Sequence, residues 1–265
     1  MYKTIKYEIE SNRQLIIAHF SDIHFAKVFN LKKFKQILEK MKNLNPDYIC
    51  ITGDIVDNIG ITKNNKIKYL INFLNDLSNI SKVLICLGNH DTRNYKSMTD
   101  NKWYLNLNKK IILLNNSKYE DNNVFFYGLT MNNDYYKHER KNELDLALKL
   151  KSLKMSSNKF NILLFHSPIN FDKNKVQKVN NFDLVLTGHT HNGITPHFIP
   201  GNYGVVGPSG KLFLKNARNS FKSGKSTVII SGGITKLSLS TGFCFLNNFF
   251  ASDINYIFLK KSEKN

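Results

Sequence analysis

The sequence predicts an α/β fold built around a mainly parallel sheet, and three observations predict it. Over the first three-quarters of the chain, short β-rich runs alternate with segments whose apolar residues recur at helical spacing. Several of those runs end in Asp, Asn or His beside Gly. After Gly188 the alternation gives way to short apolar runs separated by Gly, Pro and Ser.

The elements follow in order. Leu15 to Phe20 is a short apolar run that leads into Ser21-Asp22. Leu31, Phe34, Ile37, Leu38 and Met41 fall at helical spacing, and Asp47 to Thr52 is again β-rich. Leu70, Ile71, Leu74 and Leu77 mark one side of a second helix, from Ile67 to Leu77. Val83 to Leu87 reads as a third strand, Glu143 to Leu153 as another helix, and Asn161 to Phe165 and Leu184 to Thr187 as further strands. Such alternation indicates βαβ units. Beyond Gly188, Ile194 to Ile199, Thr227 to Ser231 and Ile254 to Leu259 look like antiparallel strands of a second sheet stacked on the first.

Composition sets the class. Of 265 residues, 42% are hydrophobic and 22% charged, an ordinary globular balance. No repeat, low-complexity tract or linker divides the chain, so one domain over 1–265 is expected. No apolar run approaches the roughly 18 residues that suggest a membrane span. Met1 to Arg13 lacks the apolar centre of a secretory signal. Cys50, Cys86 and Cys244 form no Cys-x-x-Cys pair and read as small buried thiols. A cytoplasmic address is expected, with the inner face of the membrane as a peripheral alternative.

The net charge is +18. A surplus of Lys beside abundant Asn and Ile fits an AT-rich gene, while a basic surface also attracts phosphate-rich partners. Locally, no acidic residue lies between Asp183 and Asp253, yet Lys211, Lys215, Arg218, Lys222, Lys225 and Lys236 do. A contact of this 211–236 segment with an anionic membrane surface or with nucleic acid is one reading. Phe213, Leu214 and Phe221 sit among these charges, either to rest on lipid or to fill the second sheet or a surface loop.

The chemistry stands at the strand ends: Asp22-Ile23-His24, Gly53-Asp54-Ile55-Val56-Asp57, Gly88-Asn89-His90-Asp91, His166-Ser167-Pro168 and Gly188-His189-Thr190-His191. The carboxyl edge of an α/β sheet is where such folds bind ligands. Five of the eight histidines lie in these motifs; His19, His138 and His197 do not. A lone histidine after a strand is usually structural, but five gathered at strand ends point to metal. Glycine allows the sharp turn that aims the next side chain outward. Carboxylate, imidazole and carboxamide donors without thiolate suit divalent Mn, Fe or Zn. Two such ions can share a bridging carboxylate, activate water at neutral pH and offset phosphoryl charge.

Asp-x-His, Gly-Asp-x-x-Asp, Gly-Asn-His-Asp, a lone His and Gly-His-x-His, in that order from Asp22 to His191, resemble the calcineurin-like metallophosphoesterase superfamily. The resemblance implies a four-layer α/β/β/α sandwich and two divalent metal ions. The first ion would take Asp22, His24 and His191, the second Asn89, His166 and His189, with Asp54 bridging. Asn89 and His90 would contact the phosphoryl group, and His90 would act as general acid or charge stabiliser. Asp57 would orient His90, or else serve as a cap or turn residue. Asp91 reads as structural.

Asn58 stands where the related protein phosphatases carry Arg, which disfavours that activity. The chain looks more like the compact bacterial phosphodiesterases. The expected reaction is hydrolysis of phosphodiester or pyrophosphate bonds in small or lipid-linked substrates. A nuclease, or a membrane- or protein-binding module of the same fold, is the alternative.

Overall fold

The structure, a computed structural model, describes residues 3–25, 31–57, 66–93, 106–196, 198–210, 212–234 and 252–261. Cys244, Lys211, Lys236, Asn58 and His197 lie outside these residues. The first half runs β1 (Lys3–Ser11), β2 (Leu15–Phe20), α1 (Leu31–Leu44), β3 (Tyr48–Thr52), α2 (Ile67–Ile80), β4 (Lys82–Cys86), α3 (Asn89–Arg93), β5 (Ile111–Leu114), β6 (Ser117–Glu120) and β7 (Val124–Leu129). The second half runs α4 (Asn133–Lys137), α5 (Glu143–Ser152), β8 (Phe160–Phe165), α6 (Asn174–Val179), β9 (Leu184–Thr187), β10 (Gly204–Val206), β11 (Leu212–Leu214), β12 (Ser220–Ser223), β13 (Ser226–Ile230) and β14 (Asp253–Lys261).

Two six-stranded sheets result, ordered β1-β14-β2-β3-β4-β5 and β12-β13-β9-β8-β7-β6, with β10-β11 as a separate pair. Side chains alternate across a pleated strand, and here the alternation divides them between cores. Ile17, Cys50, Leu84, Ile162, Leu164, Leu186 and Ile229 fill the space between the sheets. Their neighbours Ala18, Ile49, Ile51, Val83 and Ile85 face α1 and α2. On the second sheet Leu163, Phe165, Val185 and Val228 face α4, α5 and α6. Helix, sheet, sheet, helix is therefore the layer order, and strands buried on both faces explain the continuous apolar runs.

The second half departs from the sequence expectation in three ways. The described residues of Ile194 to Ile199 form no strand; a short 3-10 turn at His191–Ile194 precedes extended Thr195. β13 runs parallel to β9 and antiparallel only to β12. β14 belongs to the first sheet, antiparallel to β2 and parallel to β1. A local apolar run carries no record of its distant partner, so neither sheet nor direction can be read from it. Cys50 and Cys86 are buried between the sheets, where burial pushes their thiols up.

Candidate metal centre

The parallel strands β2, β3 and β4 of one sheet and β8 and β9 of the other deliver their carboxyl ends to one place. Links across the sheets hold the edges together. His166 Nδ1 lies 2.7 Å from the Thr52 carbonyl, and the His189 amide donates to Asp22 Oδ2 at 3.0 Å. Asp22, His24, Asp54, His189 and His191 all have φ between 42° and 69°. Left-handed backbone costs an L-residue roughly 1–2 kcal/mol, and strain of this kind gathers at functional sites. Each turn swings a polar side chain off the strand end into the cleft.

Glycine contributes in two ways. Gly53 itself has φ +84°, the turn expected from sequence. At Gly88 and Gly188 the reason is proximity. A Cβ on Gly88 would lie 2.2 Å from Asp54 Oδ1, and one on Gly188 would lie 1.9 Å from Ser21 Oγ and 2.5 Å from Asp22 Oδ2. The glycine before one motif thus makes room for the carboxylate of another.

Two clusters form. Asp22, His24 and His191 each offer a donor within 4.8 Å of the others, as do Asp54, His166 and His189. In the first, Asp22 Oδ1 lies 3.5 Å from His24 Nε2 and 3.4 Å from His191 Nε2. In the second, His166 Nε2 lies 3.2 Å from Asp54 Oδ2 and 3.1 Å from Asn89 Oδ1. Asp54 Oδ2 is also 3.6 Å from His24 Nε2, so one carboxylate oxygen stands between the clusters, while its Oδ1 accepts the His90 amide at 2.8 Å.

The donor set fits divalent metal. Asp22 Oδ1 is buried and accepts no hydrogen bond. A carboxylate oxygen withdrawn from water without a donor is costly unless a cation meets it. The two imidazole Nε2 atoms of His24 and His191 approach to 3.3 Å beside it, a convergence of lone pairs suited to coordination.

The electrostatics follow. Burial alone would raise the Asp22 carboxyl, yet His191, His24 and His166 outweigh it and hold it well below the usual range. Asp54 is likewise lowered against its burial, chiefly by His166. Burial lowers His191 to about 4. His166 goes the other way: burial opposes the charge, but Asp54 wins and raises it to about 9.

A pH prediction follows for the metal-free protein. The folded value of His166 exceeds the ordinary value of about 6.5, so its contribution to stability is complete below that pH. It is lost as pH rises through about 9. Urea midpoints of metal-free protein should therefore fall from pH 6.5 toward 9, while metal-loaded protein, whose ligand histidines are already neutral, should lack this loss.

The remaining expected residues group nearby. His90 Nδ1 lies 3.2 Å from both the backbone carbonyl and Oδ1 of Asp57. The same Oδ1 lies 3.3 Å from His24 Nδ1, so Asp57 touches two imidazoles rather than the one expected. The His24 hydrogen bond is the main cause of its lowered carboxyl. Asp91 is buried; its Oδ1 accepts the Ile55 and Val56 amides and its Oδ2 the Gly88 amide. That is a structural role, tying the β3 and β4 loops together. His19 is buried between Thr52 Oγ1 and Asn255 Nδ2.

Two residues escaped the sequence reading. Glu139 is 5% exposed and places Oε2 3.4 Å from His189 Nε2. The Tyr136 ring packs 5.7 Å from that of His189 and 6.0 Å from that of His166. Tyr136 stands on α4 and Glu139 on the 3-10 turn that follows it, neither of which bears a motif. The one available signal was an acid flanked directly by His138 and Arg140.

Clusters of Asp and His at the joined edges of two sheets form a candidate centre for divalent metal ions. The chain belongs to the calcineurin-like phosphoesterase family, whose sequence profile matches residues 15–193. It is 29% identical over 235 residues to the uncharacterised metallophosphoesterase YkuE of Bacillus subtilis, covering 84% of this chain and 73% of that protein. To the uncharacterised metallophosphoesterase Cj0846 of Campylobacter jejuni it is 27% identical over 192 residues, 72% of this chain and 48% of that one. A shorter stretch of 83 residues is 35% identical to the UDP-2,3-diacylglucosamine pyrophosphatase LpxG of Chlamydia muridarum, covering 31% of this chain and 24% of that protein. The chain therefore spans about half the length of some relatives and nearly three-quarters of others. Among the described residues no helix is long and apolar enough to cross a membrane.

Proposed function

We propose that the chain hydrolyses phosphodiester or pyrophosphate bonds of small or lipid-linked substrates at a two-metal centre. The observation that carries this reading is the position of Asp54 Oδ2, 3.6 Å from a nitrogen of one cluster and 3.2 Å from a nitrogen of the other. Asp22, His24 and His191 would hold one ion and Asn89, His166 and His189 the other, with Asp54 shared. Bound divalent ions would polarise the phosphoryl oxygens and supply activated water at neutral pH.

The chain's own groups do the rest. The Nδ1–H of His166 donates to the Thr52 carbonyl, which leaves Nε2 as the ligand atom. Asp57 accepts from His24 Nδ1 and does the same there. Asn89 would turn its carboxamide oxygen to the second ion and its NH2 group to the phosphoryl oxygen. His90, about a quarter exposed and steadied by Asp57, faces the opening and would protonate the leaving oxygen. Similarity to LpxG over part of the chain supports a pyrophosphate or lipid-linked substrate.

Glu139 would orient His189 by accepting from Nε2, leaving the other ring nitrogen to the second ion. Replacing it with Gln keeps the shape and removes the charge. Losses at such supporting groups run about 10–100-fold in metal affinity. Calorimetric titration of Glu139→Gln with manganese should show one of two binding events displaced by that factor and the other unchanged. Equal weakening of both events would deny the assignment.

Substrate choice is tested by assaying the manganese-loaded protein with a phosphomonoester, a phosphodiester, a cyclic nucleotide, a nucleotide sugar and single-stranded DNA. Turnover of the diester or nucleotide sugar is expected. Activity on single-stranded DNA alone would make the protein a nuclease.

A further inference from the structure

Six of the ten large apolar side chains that are exposed among the described residues fall between positions 198 and 213. Among them Tyr203 is 60%, Leu212 64% and Phe213 75% exposed, with Ile199 and Val205 also open to solvent. A concentration of this kind in one short segment marks a contact surface rather than scattered surface hydrophobics. Val205, Leu212 and Phe213 lie on the β10–β11 pair, which joins neither large sheet, Tyr203 immediately precedes it, and Phe198 and Ile199 lie on the chain leading to it. Leu214 turns inward and is buried, but Leu212 and Phe213 are adjacent and both point out. Phe213 adopts φ 52°, an outlier for a bulky side chain. The backbone is strained to hold an aromatic ring in water.

The hairpin is also anchored to the metal edge. Gly193, two residues after His191, packs backbone to backbone on Gly204, so closely that a Cβ on Gly193 would lie 2.2 Å from the Gly204 Cα. Thr195 Oγ1 accepts the Val205 amide at 2.9 Å, and Thr190 Oγ1 donates to the Ala217 carbonyl at 2.6 Å. Arg218 is buried and donates to the carbonyls of Pro196, Ile199, Pro200 and Gly201. It is a clamp on the approach to the hairpin and not part of a basic surface, which corrects the expectation from sequence.

The chemistry of the exposed side chains indicates the occupant, in a chain that carries +18 overall. Lys215 is exposed immediately after β11. Lys222 and Lys225 flank the turn into β13, at the amino end of that strand and so on the opposite edge from the metal clusters. The cationic contribution at the hairpin is therefore local and modest, and the apolar side chains dominate. Aromatic rings such as Tyr203 and Phe213 stack on bases only beside a cationic groove that tracks the phosphates, and among the described residues next to β11 only Lys215 supplies such a charge, which argues against nucleic acid. An apolar tip with a basic flank fits the acyl boundary and anionic headgroups of a bilayer.

We propose that the β10–β11 hairpin docks the protein on an anionic lipid surface, with the metal edge turned toward phosphoesters borne by that surface. The second clause rests on the hydrolytic reading above; the docking itself does not.

The test is co-sedimentation of the full chain with vesicles of phosphatidylcholine alone and of phosphatidylcholine with phosphatidylglycerol. Binding is expected to the mixed vesicles, with weaker binding to the neutral ones and partial release by salt. Leu212→Ser with Phe213→Ser should weaken vesicle binding at least tenfold while hydrolysis of a soluble ester is unchanged. Tyr203→Ser provides an independent variant should the pair misfold, and circular dichroism reads the fold of each. Absence of binding by the unaltered chain, or variants that bind as well as it does, would overturn docking. A concentration-dependent dimer abolished by Phe213→Ser would assign the surface to a second copy instead, and duplex DNA that displaces the vesicles by binding the hairpin would assign it to nucleic acid. Soluble-ester hydrolysis, read separately, reports on the metal centre, so failure of either claim is distinguishable from failure of the other.

Discussion

Asp54→Asn is expected to lower turnover by about 10³-fold or more, the scale of removing a preorganised charge-stabilising group, and to leave the protein able to retain at most one tightly bound metal ion. The substitution is nearly isosteric. An amide oxygen can still accept the His90 amide that Asp54 Oδ1 accepts at 2.8 Å, so the loop after β4 should keep its place. What disappears is the negative charge that lies between His24 Nε2 and His166 Nε2. The same charge raises His166 to about 9. In the variant His166 should lose its proton more readily, which by itself favours metal binding, so loss of an ion reports the missing charge. Metal content by atomic absorption, alongside turnover of a phosphodiester, gives the answer. A variant that kept both ions and most of its activity would remove Asp54 from the bridging position.

His90→Ala should produce the second largest effect, a fall of about 10²-fold in turnover, the lower end for loss of a general acid, with metal content unchanged. His90 meets Asp57 through its ring and Asp54 through its backbone amide, and belongs to neither of the two clusters that flank Asp54. It does join a third grouping with His24 and Asp57. That grouping sharpens the test: loss of an ion on removing His90 would mean that it ligates metal or that His24 depends on it. The leaving group provides a second readout. An ester whose leaving oxygen needs no proton should be hydrolysed almost as fast by the variant as by the unaltered chain.

Much of the candidate site is legible in the sequence because the physics that builds it is local. A strand buried on both faces must be largely apolar, so β3 and β9 read as apolar up to a terminal threonine and β8 as apolar over Ile162 to Phe165. The first polar residue after each is then the first able to leave the sheet. Where that residue is Asp, Asn or His beside Gly, the motif marks the site without knowledge of any partner. Helices α1, α2 and α5 are legible for the same reason, since their apolar spacing is set by the residues themselves.

The rest depends on partners far away in the chain. β1 pairs with β14 across the length of the protein, and no local property of Lys3–Ser11 announces it, although Tyr7 and Ile9 alternate toward the inter-sheet core. β14 reads correctly as a strand and incorrectly as a member of the second sheet. Glu139 reaches His189 from a short turn with no periodicity. Asp57 was legible as a partner of His90, but its contact with His24 requires the meeting of the β2 and β3 loops, where the His24 amide donates to the Asp54 carbonyl. The basic segment misled because contiguity in sequence is not contiguity on a surface: Arg218 turns inward, and Lys222 and Lys225 stand at the other end of the sheet.

The central claim is that two ions share one carboxylate at the joined edges of the sheets. Anomalous scattering from crystals grown with manganese tests it most directly. The account predicts two peaks about 3.5–4 Å apart, one surrounded by Asp22, His24 and His191, the other by Asn89, His166 and His189, with Asp54 between them. A single peak, or a second peak away from Asp54, would contradict it.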